Sequence, residues 1–375
     1  MQPALLFTCL LVFVSFAQSQ TRQIGEIHVE PPESKVGVTI ALKPSGPVPS
    51  SPEAMKILGD LAATNGLDLQ PTTAWHFELT YDEFDEDGDN VHSGTVEELY
   101  VNSRKYRRTI KTDEFAQTEV ADGANLYRAG DQGWPAQSTL QAMREVSSPL
   151  YAAIKVQDAS VDKLEWTIGK TTLPCVALRI GRILSSNGWQ KLCYEPGTTT
   201  LRYTRGQGWD ETVYNHVFQF GQRYLAHDTE VTHDGKPYLK IQLTKIESVP
   251  QINESAFSPP AGSPGPLTGV VSVPSSILMK EYLVHGETPI QSFPKGISGK
   301  VNVTFRVNEE GRVIKVLAIE GPKQLKKPIE ETVKRLQFRP FLVLDKPVEV
   351  ESTTVYNVQS HEKFLFVIPG DPTAR

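Results

Sequence analysis

Cys175 and Cys193 are the two residues in this sequence whose placement most directly suggests chemistry. They lie in two stretches with strand character, 172–180 and 189–194, separated by a loop-like segment, 181–188. A hairpin folded about that loop brings the thiols opposite each other. The expected chemistry is a disulfide, as an exported chain allows. Closing the loop should contribute about 3 kcal/mol. Two free buried thiols are the alternative, and no further His or Cys stands at ligand spacing for a metal.

Other reactive residue types give weaker patterns. His227 and His233 are six apart on a strand-like stretch and read as solvated polar residues before they read as metal ligands. The acidic run 85–89 has its glycine misplaced for a calcium loop and reads as a hairpin turn. Gly296-Ile-Ser-Gly299 lacks the spacing of a nucleophile elbow. Gly206 and Gly208 have no following Lys or helix to hold a phosphate. The basic run 104–108 reads as a solvated strand face, with an acidic partner as the alternative. Trp75, Phe77 and Tyr81 alternate and read as core. No catalytic, cofactor-binding or metal-binding residue is assigned, and the expectation is a protein without enzymatic activity.

The elements that position these residues follow from periodicity. The chain has 375 residues and a net charge of -6, which gives no support to nucleic-acid binding. Residues 4–17 are uncharged and apolar, and Ser15-Phe16-Ala17 places small residues as a leader cleavage site requires. A cleaved signal peptide at 1–17 and a periplasmic location are expected, with a retained anchor as the alternative. A Pro-rich arm occupies 18–52, and a helix begins at Ser51-Pro52. From Trp75 the period becomes two. Stretches at 75–81, 95–101, 106–111, 114–120, 125–128, 172–180, 189–194, 199–204, 211–220, 223–232 and 237–247 read as strands. A helical insert falls at 138–146. The expected fold class is α+β, with a large antiparallel β-meander or half-barrel at 53–257. A Pro/Gly linker at 258–266 leads to a second, smaller domain at 267–360 and a tail at 361–375.

In that smaller domain, 299–307 alternates strictly, Gly311 closes a turn, and 312–319 returns as a second strand. A helix is expected at 326–336, with Pro328 in its first turn. Arg339-Pro340 turns the chain into a third strand at 346–356. The order is ββαβ. Phe293-Pro294, Gly299-x-Val301-x-Val303-x-Phe305, Gly311-x-Val313, Phe338-x-Pro340 and Pro347-Val348-x-Val350 together resemble the C-terminal domain of TonB-type energy transducers, over roughly a quarter of the chain. The resemblance implies a periplasmic module in which a transporter peptide, or another envelope protein, pairs with an exposed sheet edge. That edge would be the one carrying Val348, Val350, Thr354 and Tyr356. The apolar run at 4–17 is shorter than the membrane helix of such transducers, and a β-rich domain with the short linker 258–266 stands where their long spacer would be.

The β-rich part is similar, more loosely, to the half-barrel of LolA/LppX-type lipoprotein carriers. That likeness implies a lipid or lipoprotein ligand on the inner face of the sheet. A TonB-like partner-binding protein is the main expectation, with the carrier as the second.

Overall fold

The structure is a computed structural model that describes residues 50–67, 74–150, 159–180, 189–206, 210–285, 297–360 and 365–370. The expected leader at 1–17, most of the Pro-rich arm, the 181–188 loop, Gly208, Phe293-Pro294, Gly296 and residues 371–375 lie outside them. Among the described residues no helix is long and apolar enough to cross a membrane.

Helix α1 (Pro52–Thr64) begins where Ser51 Oγ accepts the Ala54 amide at 3.4 Å and Pro52 needs no amide partner. Five strands follow: β1 (Ala74–Phe84), β2 (Asn90–Asn102), β3 (Lys105–Thr112), β4 (Ala116–Asp122) and β5 (Leu126–Gly130). Asp85 makes the first hairpin turn, its Oδ1 accepting the Asp87 and Asp89 amides at 2.9 and 3.0 Å. Helix α2 (Gln137–Ser147) comes next. Seven more strands complete the sheet: β6 (Ala159–Ile168), β7 (Thr171–Ile180), β8 (Trp189–Tyr194), β9 (Leu201–Arg205), β10 (Glu211–Phe220), β11 (Arg223–His233) and β12 (Lys236–Val249).

All twelve strands form one antiparallel sheet, ordered β5-β4-β3-β2-β1-β12-β11-β10-β9-β8-β7-β6. The chain enters at mid-sheet and meanders to the β5 edge. It crosses by way of α2 to the β6 edge and returns to close beside β1. Because side chains alternate along each strand, the register assigns every residue to one of two faces. The inner face carries α2 over Phe77, Leu79, Tyr81 and Val96, with α1 over Val161, Val176 and Leu192. Gly94 leaves room for Tyr81: a Cβ there would stand 2.6 Å from the tyrosine ring. Strand β6 was not expected from the sequence.

Beyond the linker stand β13 (Val271–Ser272), β14 (Leu283–His285), β15 (Gly299–Val307) and β16 (Val313–Glu320). Helix α3 (Lys323–Val333), β17 (Gln337–Phe338), β18 (Leu342–Val343), β19 (Lys346–Pro347), β20 (Val350–Ser360) and β21 (Leu365–Gly370) follow. The main elements run ββαβ through β15, β16, α3 and β20. Val301, Val303, Phe305 and Val307 are buried beneath Leu325, Ile329 and Val333 of α3.

Two expected boundaries are corrected. Helix α3 starts three residues earlier than proposed, so Pro328 lies inside it rather than in its first turn. The apolar row Leu325, Ile329, Val333 extends the packed stripe upstream and outweighs the missing proline amide. The third long strand starts at Val350, not 346; Lys346–Pro347 instead pair with Leu342–Val343 in a small hairpin. At the corner before that hairpin, Phe338 stacks on Phe305 at 6.1 Å and donates its amide to the Gly311 carbonyl at 2.8 Å. Gly311 has φ +83, and a Cβ there would meet the Phe338 oxygen at 1.9 Å. Arg339 and Pro340 face outward.

Candidate functional site

The edge expected to receive a partner is already paired within the chain. β20 lies against β15 on one side; on the other, Val350 and Glu351 pair with β13, and 355–360 pair with β21. Val350, Thr354 and Tyr356 are buried and Val348 is half-buried, so they form part of the core rather than an open strip. Two short segments that carried no strong signal of their own, 271–272 and 365–370, cover this edge. Of the residues carrying the TonB resemblance, Val301, Phe305 and Phe338 are core, Gly299 opens β15, Gly311 sits in the turn between β15 and β16, and Val313 is half-buried.

Cys175 and Cys193 are directly opposite on β7 and β8 and form a disulfide, with Cα atoms 3.9 Å apart. The bond lies on the outer face, among Leu173, Tyr203 and Val213. His227 and His233 do not converge: His227 is 3.2 Å from Asp228, and His233 pairs with Asp210. No group of three His, Cys, Asp or Glu suited to a metal occurs among the described residues.

The inner face changes character from β2 to β5. Glu98, Arg108, Glu119 and Arg128 are register partners on four consecutive strands, giving a ladder of alternating charge. Arg108 donates to Glu98 at 2.7 Å and approaches Glu119 at 3.6 Å; Arg128 Nε donates to Glu119 at 2.7 Å. The Tyr106 hydroxyl donates to Glu119 at 2.7 Å. Glu98, Glu119 and Arg128 are buried. Burial raises the Glu98 carboxyl above its ordinary range, with Arg108 pulling against it. Burial pushes Glu119 the same way, but Arg128 and Arg108 outweigh it and hold that carboxyl low. Burial works to lower the Arg108 guanidinium; Glu98, Tyr106 and Glu119 lift it above its usual value. The basic run 104–108 is therefore not simply a solvated face, because its last residue is built into this ladder.

The small sheet docks over the ladder. Trp134 donates its indole N–H to the Ser272 carbonyl at 2.7 Å and meets the Phe341 ring edge-on at 5.8 Å. The Arg128 guanidinium lies over the Trp134 ring, 5.2 Å from its centroid. Leu267 donates its amide to Leu126 at 2.6 Å, extending the pairing of β5 into the linker. Between these contacts a cavity of about 280 Å³ remains, lined by residues of β3–β5, by Trp134 and Leu140, and by the 341–345 hairpin. A second space, of about 440 Å³, lies along β1 and β10–β12 beside Tyr81, His216, Asp228 and Ile241. Only about 10 Å³ is left beside Glu145 and Tyr214, under α2.

Two hydroxyl contacts hold α2 on the sheet. Tyr81 pairs with Thr139 at 2.5 Å, and Tyr214 donates to Glu145 at 2.6 Å. Burial pushes the Glu145 carboxyl up to about 7, with the Tyr214 hydrogen bond opposing the shift. Glu145 as a whole is half-buried.

No family model matches the sequence, and no curated protein matches it. Among solved structures, a LolA superfamily protein from Nitrosomonas europaea is similar at 8% identity and TM-score 0.36, over 55% of this chain and 97% of that one. A DUF1329 family protein from Desulfovibrio piger gives 6% identity and TM-score 0.36, over 56% and 98%. The complex of MucA and MucB from Pseudomonas aeruginosa gives 11% identity and TM-score 0.24, over 86% and 94%. At such TM-scores these likenesses carry no argument about what the chain does.

Proposed function

We propose that the protein is an exported, non-enzymatic carrier that holds the apolar part of a lipid or lipoprotein on the inner face of its large sheet. The cavity of about 280 Å³ between β3–β5 and the small sheet supports this reading, because apolar side chains of both sheets and of α2 line it. The walls supplied by Leu126, Leu140, Leu267 and Phe341 suit a hydrocarbon group. α1 and α2 pack over other parts of the inner face. Partner binding at the β20 edge, the main expectation from the sequence, has weaker support because β13 and β21 occupy that edge. The test is mass spectrometry of lipid extracted from the protein purified from cell envelopes. A stoichiometric lipid supports the carrier, and a lipid-free protein that also takes up no acyl probe rejects it.

A further inference from the structure

We propose that the cavity between the charge ladder and the small sheet selects neutral, mainly apolar ligands about the size of one fused-ring system. The proposal deepens the carrier reading and rests on it only for the side of the sheet that receives the ligand.

Charge balance sets the selectivity. The ladder holds two carboxylates and two guanidiniums, and each carboxylate already accepts a hydrogen bond from an arginine. Glu119 takes a further hydrogen bond from Tyr106. An anionic ligand would have to displace Glu119 from Arg128 or lie against it uncompensated. A cationic ligand would face Arg108 and Arg128 in the same way; the remaining carboxylate of the lining, Asp345, is exposed to water and accepts from Ser103. Burying a charge without a free counter-charge is unfavourable. A neutral ligand avoids both conflicts. It also finds one unspent donor, since Arg108 Nε is buried and has no hydrogen-bond partner. A single neutral acceptor such as a carbonyl suits that nitrogen.

Size and walls set the rest. The volume of about 280 Å³ equals roughly nine waters at ~30 Å³ each. Trp134, Tyr282 and Phe341 form a contiguous aromatic wall, with ring centroids 5.8 and 4.9 Å apart in the two contacts. At the mouth, Leu344 and Asp345 have positive φ, 50° and 62°, as the two central residues of the tight hairpin between paired Val343 and Lys346. Asp345 is held there by the Ser103 hydroxyl at 3.1 Å.

The experiment is a fluorescence titration of the full chain with two environment-sensitive probes, the neutral naphthalene ketone Prodan and the anion anilinonaphthalenesulfonate. The wild type should bind Prodan at one saturable site and the sulfonate at least about tenfold more weakly. Leu140→Trp and Val343→Trp fill the cavity from opposite walls, and each should weaken Prodan by about tenfold without altering the sulfonate. Equal affinities for the two probes, or unchanged Prodan binding in both filled variants, would overturn the proposal. Should a filled variant fail to fold, the charge comparison on the wild type decides alone. A protein that carries no envelope lipid yet passes this comparison keeps the site and loses the carrier reading. One that carries lipid but binds both probes equally keeps the carrier reading and loses the selectivity.

Discussion

Arg128 and Glu119 face each other across the last two strands of the large sheet, Nε to Oε2 at 2.7 Å, both almost wholly buried. Trp134 covers the arginine and anchors the small sheet above it. One ion pair therefore stands at the junction of both sheets and the cavity.

Removing one partner should be costly. Glu119→Ala leaves Arg108 and Arg128 adjacent without the carboxylate between them, and should lower stability by about 3–5 kcal/mol. The double variant Glu119→Leu/Arg128→Met should lose less than Glu119→Ala alone. Urea unfolding of both variants checks the order, and the reverse order would show that the ladder is not energetically coupled.

Stability should fall as pH rises from about 4.5 to about 7. The Glu145 carboxyl has its folded value raised to about 7 from an ordinary value of 4.5. Below the ordinary value both states are protonated and the stabilising contribution is complete. Between the two values the unfolded chain releases its proton while the folded chain retains it, so stability declines and then levels off above about 7. The expected loss is on the order of 2 kcal/mol, discounted because Glu145 is only half-buried. Glu145→Gln should flatten this profile in chemical melts at a series of pH values.

The disulfide should be structural. Cys175→Ser/Cys193→Ser removes a cross-link spanning 18 residues and should cost about 3 kcal/mol, readable as a lowered urea midpoint. An unchanged midpoint would mean that the hairpin is fully specified without it.

Gly311→Ala should damage the small sheet. The added Cβ meets the Phe338 carbonyl in a conformation with φ +83, so a loss well above ~1 kcal/mol is expected. Hydrogen exchange should show that loss in β15–β17, while β6–β10 keep their protection.

Much of the large sheet was legible because its signals are local. Period-two alternation and turn residues marked eleven of its twelve strands, and the loop between Cys175 and Cys193 announced their pairing. Strand β6 was missed, although Leu164, Trp166 and Ile168 alternate within it, because no clear turn precedes it in the sequence. The paired state of β20 was not legible, since β13 is two residues long and β21 lies in what reads as a tail. The ladder had a faint trace in Glu98, Arg108, Glu119 and Arg128, spaced 9 to 11 residues apart. Only the register shows that this spacing places them side by side. The cavity has no sequence signal because two distant parts of the chain make it.

The most direct test of the carrier account is native mass spectrometry of the full chain, wild type and Val343→Trp, both purified from envelopes under the same mild conditions. The account predicts a bound lipid on the wild type and its loss from the folded, cavity-filled variant. A wild type without ligand, or equal lipid on both proteins, would contradict it.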